Sequence, residues 1–91
     1  MDNYHFESSI SIEEETGTLL AFYHQVRTGK SVKQIEFADG NLIADYDSRG
    51  RLLGVELLGP CSLAELKKAF KGEPRLLAIV QSNAPRTAIV A

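Results

Sequence analysis

Apolar residues recur with a period of two along the first two-thirds of the chain. Over residues 8–13, Ile10 and Ile12 fall on one side and Ser9, Ser11 and Glu13 on the other, the alternation of a half-buried strand. The polar run Glu14-Glu15-Thr16-Gly17 predicts a turn, with Gly17 able to take a positive φ. Residues 18–26 put Leu20, Phe22, His24 and Val26 on one side and Leu19, Ala21 and Tyr23 on the other, so this strand is expected to be covered on both faces. Residues 27–31 read as a loop. A third strand over 32–38 runs into Asp39-Gly40, a strong hairpin signal because a type I′ turn needs positive φ at both central residues. That turn sets Phe37 opposite Leu42 and Ile35 opposite Ala44. The fourth strand, 41–47, ends in Asp47-Ser48-Arg49-Gly50, a type I turn closed by a left-handed glycine, and the fifth spans 51–58.

Gly59-Pro60 ends the sheet. Ser62-Leu63-Ala64-Glu65 has the spacing of a capping box, and Leu63, Leu66, Ala69 and Phe70 form the apolar stripe of a helix that stops at Gly72. The fold class is α+β and mostly β: an antiparallel five-stranded meander, then one helix and a C-terminal tail. Residues 1–72 form the domain. Residues 73–91 are a tail that packs on the domain or on a partner chain. The tail's apolar patch at 76–80 fits a short helix opened by Pro74 or an added strand, and its end is expected to be loose unless a partner holds it.

Carried through the hairpins, these registers place Ile35, Phe37, Leu42, Ala44, Tyr46, Leu52 and Leu58 on one face. Ile43, Leu53, Val55 and Leu57 fall on the other. One short helix covers one face at best, and a large bare apolar face is unusual on a monomer. A homodimer or higher homo-oligomer packed through the second face is the expectation, against a curled sheet closed by the tail.

Composition narrows the rest. The 91 residues suffice for one domain, and 44% hydrophobic with 24% charged residues is a globular balance. A formal charge of −2 gives no general pull toward nucleic acid or an anionic membrane. Lys67, Lys68, Lys71 and Arg75 are interleaved with Glu65 and Glu73, the pattern of a solvated helix face. The one cysteine, Cys61, cannot build a disulfide within the chain and reads as a small apolar residue. No apolar run approaches a membrane span, and the polar start lacks a signal-peptide core, so the cytoplasm is the expected compartment.

Candidate chemistry is sparse. Asp45, Asp47, Gly50 and Glu56 fall at the first, third, sixth and twelfth positions of a calcium-loop spacing. Arg49 occupies the fifth, where an oxygen ligand belongs, and the flanks are strands. The segment therefore reads as a turn, and no metal or other cofactor is expected. His24, Asp45, Tyr46, Gly54 and Glu56 are the candidate ligand or interface residues. His24 sits on an apolar strand, where a hydrogen-bonded core or interface role outweighs that of a base. Gly54, placed opposite Ala44 and diagonal to Tyr46, invites an aromatic ring across it. Glu56 interrupts an apolar strand. No nucleophilic triad, phosphate loop or dinucleotide glycine pattern is present, so no catalytic residue is assigned.

The stretch from Ile43 through Asp45, Asp47, Gly50, Gly54 and Glu56 to Leu58 resembles the signature D-x-D-x-x-G-x-x-x-G-x-E of a small, widespread bacterial domain family of unknown function. The resemblance covers roughly residues 10–58 and departs from the family at Gly17 and near Leu20. It implies a compact β-rich fold and no particular activity. Some relatives in that family sit in small operons of the toxin–antitoxin kind. These features point to a self-associating protein-interaction or regulatory module. The alternative is a small-molecule-binding protein or enzyme with its site at a subunit junction. Nucleic acid and membrane are not expected partners.

Overall fold

A computed structural model describes residues 4–86 and 88–90. Five antiparallel strands form the sheet: β1 (Tyr4–Ile12), β2 (Leu19–Arg27), β3 (Lys33–Phe37), β4 (Leu42–Tyr46) and β5 (Leu52–Leu57). Their order is β1-β2-β5-β4-β3, which is not a simple meander. Residues 28–32 carry the chain from β2 across one end of the sheet to its far edge, and β3, β4 and β5 then fold back until β5 lies against β2. Gly29 makes the crossing close to Leu53, whose Cδ2 would lie 2.9 Å from any Cβ added there. The order follows polarity. The most continuously apolar strand, β5, is central, while the Ser-rich β1 and the charged β3 take the edges.

The β3–β4 register is as the turn residues predict, with Phe37 opposite Leu42 and Ile35 opposite Ala44. The connection is longer than a two-residue turn. Ala38, Asp39 and Gly40 all adopt positive φ, and the Asn41 N–H closes the loop on the Ala38 carbonyl at 3.1 Å. Between β4 and β5 the turn also forms: Gly50 has φ 79° and its N–H reaches the Asp47 carbonyl at 2.9 Å. Here the expected register fails. A bulge opposes Tyr46 to Leu52 and Asp45 to Gly54, leaving Leu53 as the extra residue. Val55 and Leu57 consequently face Ala44 and Leu42 and point into the same core. A one-residue slip inverts a strand's faces, and this one removes the second apolar face on which the expected oligomer rested. The outer face carries Glu7, Tyr23, Gln25, Ile43, Asp45, Glu56, Gln34 and Glu36 instead.

Two helices, not one, cover the inner face: α1 (Leu63–Ala69) and α2 (Pro74–Asn83). Ser62 caps α1, its hydroxyl accepting from the Glu65 N–H at 3.2 Å. Glu65 does not complete the box but reaches across to accept from the Ala38 N–H and from Lys68. Gly72 takes φ 77° and frees Pro74 to open α2. Leu66, Ala69 and Phe70 pack with Leu76, Leu77 and Val80 against Phe22, Val26, Leu42, Val55 and Leu57 in one core. The tail thus packs on its own domain. Its end is also tied: β6 (Cys61–Ser62) and β7 (Ile89–Val90) pair in parallel, and the Cys61 N–H donates to the buried Ala88 carbonyl at 3.0 Å. Thr87 and Ala91 of that tail, like Met1, Asp2 and Asn3, lie outside the described residues.

Arg27, expected in a loop, ends β2 and is buried. It donates to the Leu52 carbonyl at 2.7 Å and to Glu73 at 2.6 Å, tying β2, β5 and the start of α2 together. Tyr4 lies beneath its guanidinium at 5.5 Å, which holds the start of β1 to the same junction.

Candidate interaction site

The five sequence candidates do not converge. His24 and Tyr46 belong to the inner face, whereas Asp45, Gly54 and Glu56 lie on the outer one. His24 is 2% exposed, its ring 6.2 Å from Phe22, and neither ring nitrogen has a hydrogen-bond partner among the described residues. Burial pushes its pKa below the ordinary histidine value. Cys61, also buried, has its thiol pushed up, first by burial and then by Glu65.

On the outer face Asp45 is opposite Gly54, and Glu56 is flanked by Tyr23 and Ile43. The ring expected across Gly54 comes from Tyr23, not Tyr46. A Cβ at Gly54 would stand 2.9 Å from the Tyr23 hydroxyl and 3.0 Å from the His24 carbonyl. Burial, then Asp45, Glu7 and Glu56 in turn, raise the Tyr23 pKa. Asp47 belongs to the turn and not to this patch. Its carboxylate accepts from the Arg49 and Arg51 N–H groups and from the Arg51 side chain, each at 2.9 Å. The Arg51 and Arg49 backbone bonds, together with the Arg51 guanidinium, hold its pKa below the usual carboxylate range despite the opposing effect of desolvation.

Tyr46 lines an open cleft of about 700 Å³ between the inner face of β3–β4 and the end of α1, donating its hydroxyl proton to the Ala69 carbonyl at 3.0 Å. Burial and Glu73 raise its pKa. Lys33, Lys68 and Lys71 also line the cleft, and its two acids are already committed, Asp47 to Arg51 and Glu73 to Arg27.

An unsatisfied surface lies elsewhere, on β1. Every residue of this nine-residue edge strand is exposed. β2 pairs with β5 only between Phe22 and Gln25, so beyond Phe22 the β1–β2 hairpin runs on as a bare two-stranded arm, and the molecule measures 42 × 23 × 22 Å. Neither helix is long enough to cover this arm. Ile10 (50%), Ile12 (53%) and Leu20 (49%) on this side stay half exposed, as do Tyr4 (53%) and Phe6 (51%) at the other end of β1, beside α2. Tyr4 and Phe6 stack at 5.8 Å and, with Pro74, Leu76 and Ile79 of α2, line an open groove of about 460 Å³. Ile10 lies opposite the core residue Phe22 and so shares the inner face. The sequence signal for this surface is that Tyr4 and Phe6 alternate in phase with Ile10 and Ile12, extending the strand four residues upstream of Ser8.

No family model, curated protein or solved structure matches the chain. Among the described residues no helix is long and apolar enough to cross a membrane, and no group of three His, Cys, Asp or Glu side chains is placed to hold a metal ion.

Proposed function

We propose that the protein is a self-associating interaction module whose contact surface is the β1–β2 arm, not the outer face of the sheet. One observation carries this reading: a long edge strand, exposed at every residue, that presents four half-exposed apolar side chains. Unpaired edges recruit other strands unless blunted by proline, lysine or cover. β1 contains no proline and no lysine, and neither helix lies over its outer half. The likeness of residues 10–58 to the bacterial domain family is consistent with a small regulatory module but supplies no activity. Sedimentation equilibrium tests the reading. The wild-type chain of 10.0 kDa should give a concentration-dependent mass approaching twice that value, and Ile10→Lys with Ile12→Lys should restore the monomer. A wild-type mass of one chain throughout the micromolar range would overturn it.

A second reading has its own observation, the cleft beside Tyr46. Lys33 and Lys71 at that cleft have no ion-pair partner among the described residues. A small anionic ligand with an aromatic or aliphatic body fits this arrangement. A thermal-shift screen of carboxylates and phosphate esters, repeated with Lys33→Glu and Lys71→Glu, would detect such a ligand. Absence of any hit removed by these changes would leave the interaction module alone.

A further inference from the structure

We propose that two copies join edge to edge through β1, antiparallel about a two-fold axis at Ser8, so that each copy's arm fills the other's groove. This rests on the self-association reading and adds its register.

The apolar residues of β1 are symmetric about Ser8. Tyr4 and Phe6 precede it by four and two residues, and Ile10 and Ile12 follow it by two and four. Counted along the sequence, an antiparallel pair centred on Ser8 sets Phe6 opposite the partner's Ile10 and Tyr4 opposite the partner's Ile12; β1 is regular against β2 from Glu7 to Ser11 and irregular on either side of that stretch, with one extra residue between Tyr4 and Glu7. Tyr4 and Phe6 still share the α2 side, stacked at 5.8 Å, and Ile10 shares the inner face with Phe22. Aromatic and β-branched residues directly opposite each other are among the favourable cross-strand pairs. On the other face Glu7 meets Ser9 and His5 meets Ser11, so no like charges are opposed.

Neighbouring registers are worse. An axis at Glu7 sets the two Glu7 carboxylates directly against each other. An axis at Ser9 sets Ile10 against Ser8 and Tyr4 against Glu14. A pairing that joins odd to even residues turns one copy's apolar stripe toward the other's polar face.

The groove fits the same register. It opens beside Tyr4 and Phe6, above Pro74 and Ile79. Those are the positions at which the Ser8-centred pairing delivers the second copy's Ile12 and Ile10. Each chain thus carries one bare apolar arm and one open apolar groove, and a single two-fold operation joins both sets at once. Such an isologous contact closes on itself and makes a dimer with one continuous ten-stranded sheet, not a fibre.

Cysteine cross-linking reads the register directly. In a Cys61→Ala background, Ser8→Cys puts two thiols on the axis, while Ser11→Cys puts them about 20 Å apart at the rise of a strand. Under mild oxidation Ser8→Cys should form a covalent dimer at least about tenfold faster than Ser11→Cys, because a disulfide needs Cβ atoms within roughly 4.5 Å. A dimeric mass with cross-linking fastest at Ser11, or equal at both positions, would overturn the register and leave self-association standing. A monomeric mass with no cross-link at either position would overturn both.

Discussion

Acidification should weaken this fold well before its carboxylates titrate, and His24 should be the cause. The imidazole is buried in the core, with neither nitrogen partnered among the described residues, and its pKa is lowered by desolvation. In the unfolded chain the same group titrates near ~6.5. Below that pH the unfolded state binds a proton that the folded state refuses. Stability is therefore complete above the unfolded value and falls as pH drops, until the lowered folded value is reached. The slope from one such group approaches about 1.4 kcal/mol per pH unit. A domain of this length has roughly 5–13 kcal/mol in total, so a loss over one to two pH units is easily measured. Urea unfolding of the wild type and His24→Leu at intervals from pH 7.5 to 4.5 isolates the effect. Asp47 and Glu65, whose folded pKa values are also lowered, lose their contribution only below the unfolded carboxylate range near ~4. His5, exposed and 2.8 Å from Glu7, is common to both proteins. His24→Leu should be about 1 kcal/mol more stable at neutral pH, since it removes unpartnered buried polar atoms. It should also be nearly flat across the window. Parallel pH profiles for the two proteins would refute the reasoning.

Two further outcomes follow from close contacts. Gly54→Ala should cost about 1–3 kcal/mol, because the added Cβ meets the β2 backbone at 3.0 Å as well as the Tyr23 hydroxyl; a thermal midpoint equal to the wild type would show that β2 and β5 can separate freely there. Glu73→Gln should cost about 2 kcal/mol in urea unfolding, less than a fully buried pair because Glu73 is partly exposed, while Arg27 loses a charged partner at 2.6 Å; an unchanged midpoint would mean that the contacts of Arg27 other than Glu73 satisfy it.

The parts of the fold legible in the sequence are those set by local chemistry. Asp39-Gly40 fixes the β3–β4 pairing, Asp47 and Gly50 shape the next turn, and Ser62 starts α1, because each acts on a backbone within a few residues. The β5 register was not legible by counting from the turn, since Leu52 and Leu53 are both apolar and either can face the core. Polarity further along the strand is the better guide. Gly54 and Glu56 alternate against Val55 and Leu57, so the last two belong inside. Strand order was hidden because residues 28–32 could close a hairpin as readily as cross a sheet end. Of the candidate site, the apolar strand around His24 points to a hydrogen-bonded core or interface histidine; the ring is in the core but without a partner among the described residues, since no sequence pattern reports what surrounds a ring. The β1 surface is hard to see in the sequence because Tyr4 and Phe6 sit in a polar start, among Asp2, Asn3, His5 and Glu7, and the serines that follow separate them from Ile10 and Ile12.

Hydrogen exchange at β1 tests the role of the arm most directly. In a lone chain the amides of residues 7–11 that point away from β2 have no strand to bond and exchange quickly. If copies pair through this edge, those amides become protected as protein concentration rises, together with the doubling of mass. Equal, fast exchange of these amides in dilute and concentrated samples, with β4 and β5 protected in both, would contradict it.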